Sequence, residues 1–164
     1  MNPKIMVLNG PNLNLLGVRQ PHIYGYDTLA GIGKRLRVRA KPQRVTIDLR
    51  QSNHEGELVT WIHEARTTCA GIIINPAAYT HTSVAILDAL LACDLPVIEV
   101  HLSNPHRREE FRHRSFVTLA ASGVIAGFGA HGYELALDAM TRLIQGRGDQ
   151  AKSTERAPKK SRAR

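Results

Sequence analysis

Short runs of apolar, mostly β-branched residues alternate along this chain with stretches of helical periodicity. This alternation constrains the fold more than any other feature, because strands separated by helices assemble into a parallel sheet with helices on its faces. The predicted strands are residues 5–8, 45–49, 72–74, 97–102 and 124–126, and the predicted helices are residues 29–38, 58–69, 83–92 and 133–144. We therefore predict an α/β fold with a doubly wound, five-stranded parallel sheet in the flavodoxin-like order.

The positive charge of the chain is concentrated at its C-terminal end. The net charge is +8. Residues 147–164 contain seven of the 22 Lys and Arg residues but only two of the 14 Asp and Glu residues. This segment shows no apolar periodicity, so it is predicted to be disordered in isolation. We predict one globular domain over residues 1–146, followed by a basic disordered tail over residues 147–164. The basicity belongs mostly to the tail and requires no nucleic acid partner.

Membrane and secretory signals are missing from the sequence. Charged or strongly polar residues interrupt every apolar run well before the roughly 20 residues that a membrane helix needs. No apolar leader follows Met1, and the two cysteines, Cys69 and Cys93, show no disulfide framework. A soluble protein of the reducing cytoplasm is expected.

Polar residues collect where the predicted strands end. Ligands of open α/β sheets bind at the carboxyl ends of the strands. In this chain the polar residues at those ends are Asn12, Asn75, His81, Glu99, His101 and Ser103. Alternation along the fourth strand places Glu99, His101 and Ser103 on one face. A hydrogen-bonded chain at the sheet edge would explain any one of them, but three in register favour a functional site.

Two irregular segments flank these positions. The connection over residues 9–26 is rich in Gly, Pro and Asn, contains Arg19 and Tyr24, and is long enough to indicate a functional loop. The segment over residues 103–114 is rich in Arg and His and too polar for a core position.

Several kinds of chemistry lack support in the sequence. There is no serine elbow, HExxH or CxxC motif, the histidines have no diagnostic metal spacing, and lysines are nearly absent from the candidate site. Acid and base chemistry by Tyr, His, Arg and Asn remains. A GxGxxG match at residues 127–132 leaves a nucleotide- or flavin-binding module as an alternative. However, no later strand follows to carry the acidic ribose ligand, so a tight turn explains these glycines at least as well.

Three long motifs occur in order along the chain. They are LNGPNLNLLG at residues 8–17, followed by Arg19 and Tyr24, then INPAAYTHTS at residues 74–83, and EVHLSN at residues 99–104, followed by REEFR at residues 108–112. From about residue 4 to residue 144 the chain resembles the type II 3-dehydroquinate dehydratases. The resemblance implies dehydration of 3-dehydroquinate to 3-dehydroshikimate through an enolate, in the shikimate pathway and with no cofactor or metal.

The resemblance also implies catalytic roles. Tyr24 is the expected general base, and the positive charge of Arg19 would favour its phenolate. His101 is the expected general acid, and Glu99 would orient its ring. Asn12 would position the oxygen or water that carries the enolate charge. Without the motif, a packed loop aromatic would be the preferred interpretation of Tyr24.

The same resemblance implies a substrate-binding set and an assembly. The expected substrate contacts are Asn75, His81, Asp88, Leu102, Ser103, Arg112 and, on the rim, Arg108. Alternatively, Arg108 and Arg112 form a solvated helix face opposite neighbouring glutamates. Asp88 interrupts a helix that is apolar nearly all round, which favours burial against a second subunit. The family pattern implies trimers assembled into a homododecamer, with Asp88 reaching a neighbouring active site, whereas a solvent-facing Asp88 on a monomer is the simpler alternative.

Overall fold

The computed structural model describes residues 2–18 and 27–156, with side chains described as far as residue 147. Within these ranges the strands are β1 (Lys4–Asn9), β2 (Thr46–Gln51), β3 (Gly71–Asn75), β4 (Val97–His101) and β5 (Gly123–Ala126). The longer helices are α1 (Leu29–Ala40), α2 (Glu55–Thr68), α3 (Val84–Cys93) and α4 (His131–Arg156). Each predicted strand and helix is present, with boundaries that differ by a few residues except at the end of α4.

The five strands form one parallel sheet in the order β2-β1-β3-β4-β5. This is the flavodoxin-like order, so the predicted fold class is confirmed. Asn9 at the end of β1 is in register with Asn75 at the end of β3. The strand order reverses beside β1, where the chain crosses from one half of the sheet to the other, and this is the edge at which ligands of such sheets bind.

The central strands β1, β3 and β4 are buried on both faces of the sheet, as a doubly wound topology requires. Ile5 and Val7 point to the face covered by α1 and α4, whereas Met6 and Leu8 point to the face covered by α2 and α3. All four side chains are fully buried. The continuous apolar run of β1 therefore reflects burial of alternate residues in two separate cores.

Short 3-10 turns follow β3 and β4. Ala77–His81 follows β3, and three further turns lie between β4 and β5: Pro105–Arg107, Glu110–Arg112 and Val117–Leu119. Strand β4 ends at His101, one residue earlier than predicted. Most polar side chains of these turns stay at least partly exposed past the sheet edge, whereas Thr80 is fully buried.

The last helix extends past the predicted domain boundary at residue 146. Helix α4 continues to Arg156, so the first part of the predicted disordered tail is helical. Adding residues to a packed helix avoids the cost of nucleation, and Arg, Gln, Ala and Lys are good helix formers. Disorder of residues 157–164 stays a prediction, because these residues lie outside the described part of the chain. Among the described residues, no helix is both long and apolar enough to cross a membrane.

Candidate active site

A pocket of about 150 Å³ opens at the carboxyl ends of β1, β3 and β4. Eight of the predicted site residues line it, namely Asn12, Asn75, His81, His101, Leu102, Ser103, Arg108 and Arg112. The other lining residues were not predicted as site residues, and they are Pro11, Leu13, Leu16, Ala77, Ala78 and Pro105. The tertiary structure thus brings together residues from three separate sequence motifs.

The turn after β1 is held against the turn after β3. The backbone amide of Gly10 donates to the carbonyl of Asn75 at 2.8 Å. A Cβ at Gly10 would lie 2.3 Å from the carbonyl oxygen of Pro76, so only glycine permits this approach. Two residues further on, Asn12 adopts a left-handed conformation with φ of 67°, and its backbone amide donates to Asn53 Oδ1. The exposed side chain of Asn12 is thereby placed at the pocket.

Asn75 is held by a buried chain of polar groups. Its Nδ2 donates to the Tyr133 hydroxyl at 3.0 Å, and that hydroxyl donates to Asn9 Oδ1 at 2.7 Å. The Asn75 Oδ1 accepts from the backbone amide of Ala77. Burial raises the pKa of the Tyr133 phenol, so this hydroxyl stays protonated and acts as a donor. Asn75 therefore presents a fixed amide to the pocket.

His101 lies in front of a buried carboxylate. Its Nε2 is 2.7 Å from Glu99 Oε1, and Glu99 is fully buried. Because the carboxylate accepts, Nε2 carries a hydrogen, and Nδ1 is left for a molecule in the pocket. Glu99 itself does not line the pocket, so it acts on the pocket through the histidine.

Hydroxyl groups complete the surroundings of Glu99. Its Oε1 accepts from Thr80 and Ser115 at 2.6 and 2.7 Å, and its Oε2 accepts from Thr118 at 2.5 Å. Burial opposes ionisation, but the hydrogen bonds from His101, Thr118 and Thr80 outweigh it and lower the pKa of Glu99 to about 2. Glu99 is therefore ionised at neutral pH and places a negative charge behind His101.

The second pocket histidine has a defined tautomer. His81 Nδ1 donates to the backbone carbonyl of Arg114 at 2.7 Å. A neutral His81 consequently presents Nε2 as an acceptor.

Two arginines supply positive charge at the pocket. Arg112 Nε donates to Glu109 Oε2 at 2.8 Å, and Arg108 Nε is 3.6 Å from the same oxygen. Glu109 is exposed, so these are surface ion pairs of small energy. Both side chains nevertheless line the pocket, as the binding interpretation predicted.

In the glycine-rich turn, the backbone amides of all three glycines are already bonded within the protein. The amides of Gly127 and Gly129 donate to the carbonyls of His101 and Leu102, and the amide of Gly132 donates to Gly129. Gly127 has φ of 91°, which a glycine adopts without strain. The structure therefore favours the tight-turn interpretation over nucleotide or flavin binding.

Among the described residues, two predicted site residues, Glu99 and Asp88, do not line this pocket. Asp88 is exposed on α3 and is not among the lining residues. Arg19 and Tyr24 lie outside the described residues, so their predicted roles stay predictions.

The three hydroxyl residues that surround Glu99 are not among the site residues predicted from the sequence. A buried carboxylate requires donors, and this requirement was a usable signal. Thr80 lies inside a selected motif, while Ser115 and Thr118 follow the basic segment at a spacing of three. Their partner is 16 to 19 residues away, so the pairing is visible only in the folded chain.

Known proteins match this chain over most of its length. The model of the family described as dehydroquinase class II matches residues 3–141. A 3-dehydroquinate dehydratase of Streptomyces avermitilis is 63% identical over 90% of this chain and 94% of its own length. The 3-dehydroquinate dehydratase 2 of Pseudomonas putida is 59% identical over 90% of this chain and 99% of its own length.

Solved structures give the same result. The type II dehydroquinase from Propionibacterium acnes superposes with a TM-score of 0.83 at 44% identity, covering 87% of this chain and 98% of that one. The type II dehydroquinase from Butyrivibrio crossotus gives a TM-score of 0.82 at 43% identity, covering 85% and 97%. Fold, family model and identity agree, and the chain therefore belongs to the class II dehydroquinase family of hydro-lyases.

Proposed function

We propose that this chain dehydrates 3-dehydroquinate to 3-dehydroshikimate through an enolate, as a step of the shikimate pathway toward aromatic amino acids. The observation that carries the proposal is the pairing of His101 with the buried Glu99 carboxylate in a pocket that arginine, histidine and asparagine side chains line. This set suits an anionic, polyhydroxylated substrate, because cations attract the carboxylate while amides and imidazoles bind hydroxyl groups.

The reaction needs a base, an acid and stabilisation of the enolate oxygen. Tyr24 as phenolate, favoured by the charge of Arg19, removes the proton next to the ketone. The electrons move onto the ketone oxygen, and Asn12 positions this oxygen or a water that hydrogen-bonds to it. When the enolate reforms the ketone, the β-hydroxyl leaves and takes a proton from His101 as water. Glu99 holds the His101 ring in orientation for that transfer.

Substrate recognition is assigned to the remaining pocket residues. The substrate carboxylate is placed at Ser103 and the backbone of the Leu102–Ser103 corner, with Arg112 and Arg108 adding positive charge. His81 and Asn75 would bind the ring hydroxyl groups. Their support is the pocket itself, in which a neutral His81 offers Nε2 as an acceptor and Asn75 is held by Tyr133.

A spectrophotometric assay tests the proposed reaction. The product is a conjugated enone, so purified protein mixed with 3-dehydroquinate should produce rising ultraviolet absorbance without added metal or cofactor. Chelator should leave the rate unchanged. Folded protein that gives no absorbance change would refute the proposed function, and a yellow protein carrying flavin would favour the alternative module instead.

An assembly is proposed from the exposed face of α3. Ile86, Ala89 and Leu90 are buried against the core, while Val84 and Leu91 on the opposite side are 51% and 58% exposed. Asp88 lies between them on the exposed side. Exposed apolar side chains at helical spacing favour contact with another subunit. We propose that the trimers and homododecamer implied by the family pattern cover this face, with Asp88 near a neighbouring pocket.

Removal of the Asp88 charge should impair substrate affinity, assembly or both. Replacing Asp88 with Asn keeps the size of the side chain, and a lost charged hydrogen bond is expected to raise KM about tenfold or to weaken the oligomer. Steady-state kinetics and analytical ultracentrifugation measure the two effects. Asp94→Asn is a matched control, because Asp94 is an exposed aspartate that ends the same helix. Unchanged KM and mass for the Asp88 variant, or a monomeric wild type, would contradict the proposed interface.

The cytoplasm is the proposed compartment. Its support is that Cys69 and Cys93 are both free thiols.

A further inference from the structure

We infer that Thr118 is a positioning residue for His101, acting through the carboxylate of Glu99. The inference rests on the proposed function, in which His101 is the general acid. Thr118 lies in the 3-10 turn Val117–Leu119, and its hydroxyl donates to Glu99 Oε2 at 2.5 Å. The opposite oxygen, Oε1, accepts from His101.

The carboxylate is thus held at both oxygens. Rotation of the carboxylate about its Cγ–Cδ bond would break the bond to Thr118 and the bond to His101 together. Thr80 and Ser115 also approach Oε1, and they are 2.7 Å from each other. Each of these two hydroxyls carries one hydrogen, so together they cannot donate to all three of these short contacts at once. Among the described residues, no second hydroxyl competes with Thr118 at Oε2, which makes its hydrogen bond the better defined restraint.

The hydroxyl of Thr118 is separable from the packing of its segment. Val117 is fully buried in the core beside α2 and α3 and anchors the turn. The backbone amide of Phe116 donates to the Thr80 carbonyl at 2.8 Å, and the amide of Thr118 donates to Ser115 Oγ. None of these contacts uses the Thr118 hydroxyl, so its removal should leave the segment in place.

Without the Thr118 hydroxyl, Glu99 would present a stronger negative charge to His101. A buried carboxylate oxygen without a donor becomes more basic, because the hydroxyl no longer shares its negative charge. Glu99 would then hold the proton on His101 Nε2 more strongly. The histidine would become a weaker acid toward the substrate, and its protonated form would persist to higher pH.

Replacing Thr118 with Val tests this inference, since valine keeps the branched shape and lacks the hydroxyl. Loss of a hydrogen bond to a charged group is expected to lower kcat about tenfold, with KM changed by less than about twofold. The alkaline limb of the kcat profile should move to higher pH. Thr118→Ser keeps a hydroxyl and should have the wild-type kcat and pH profile. Ser115→Ala removes another hydroxyl that donates to Glu99, so it should also lower kcat.

Thr60→Val is the matched control. Thr60 is also exposed, and its hydroxyl donates to a helix carbonyl, that of Gly56, in α2. This variant should have wild-type kinetics. A Thr118→Val variant that folds and has wild-type kcat and pH profile would overturn the inference, as would equal losses in the Ser and Val variants.

Exchange of the His101 ring C–H with deuterium, followed by mass spectrometry over a range of pH, gives a readout independent of turnover. The midpoint for His101 should move to higher pH in Thr118→Val, while the other histidines should not change. If the wild type fails to dehydrate 3-dehydroquinate, the proposed function fails, yet this exchange experiment still decides whether Thr118 acts on His101. An unshifted midpoint would contradict that action.

Discussion

Replacing Tyr24 with Phe should reduce kcat about 10³-fold, since general base catalysis typically contributes this much, while KM changes little. The ring and its packing are retained, and the ionisable oxygen that would remove the proton is lost. The proton next to a ketone is too weakly acidic to leave without a positioned base. Steady-state kinetics with 3-dehydroquinate would measure both parameters.

Tyr26→Phe is the control for the Tyr24 variant. It removes the same phenolic oxygen two residues further along the chain, where no role is proposed. Tyr26→Phe should keep wild-type kcat. Near-normal turnover in Tyr24→Phe, or a comparable loss in Tyr26→Phe, would contradict the assignment of Tyr24 as the base.

Replacing Glu99 with Gln should lower kcat about 10²-fold, the lower end of what general acid catalysis contributes. Glutamine fills the same volume and can still accept from His101, but the negative charge beside the ring is lost. The loss should appear in kcat more than in KM, because Glu99 does not line the pocket. Wild-type kcat in this variant would refute the proposed role of Glu99 in orienting His101.

The same substitution should change how stability depends on pH. The pKa of Glu99 is lowered from 4.5 to about 2 in the folded chain, so its ionised form stabilises the fold above pH 4.5. That contribution is lost as the pH falls from 4.5 toward 2. Between roughly pH 6 and pH 3 the wild type should lose about 2 kcal/mol of unfolding free energy that the Gln variant does not lose.

Urea unfolding at the two pH values measures this difference. Glu110→Gln is the control, because Glu110 is an exposed glutamate outside the pocket lining. The control should lose stability in parallel with the wild type. Parallel losses in wild type and the Glu99 variant would show that Glu99 does not carry the acid-sensitive stabilisation.

The alternation of strands and helices was sufficient to predict the sheet and the edge that carries the site. Ile5 and Val7 on one face and Met6 and Leu8 on the other follow from the twofold period of a strand. The same local geometry placed Glu99 and His101 on one side of β4, and their hydrogen bond confirms that prediction. Local patterns predict such features because neighbouring residues fix each other's direction.

The length of α4 could not be predicted from the same patterns. Past residue 146 the apolar periodicity stops, and a polar segment is typical of disorder when it stands alone. In the folded chain it continues a helix that Tyr133, Leu137 and Met140 anchor in the core. Propagation from an anchored helix costs little, whereas nucleation of a free one is unfavourable.

The sequence by itself determined the fold class, the family and most of the residues that line the pocket, because strand periodicity and contiguous motifs are local properties. Only the tertiary structure decided which groups support those residues. Thr118 donates to Glu99 across 19 positions, and Tyr133 bonds Asn9 across 124. A buried carboxylate or amide needs a hydrogen-bond partner, and this need can be predicted from the sequence. The identity of the partner cannot. The path of the chain through the sheet and its turns selects the partner that meets this need.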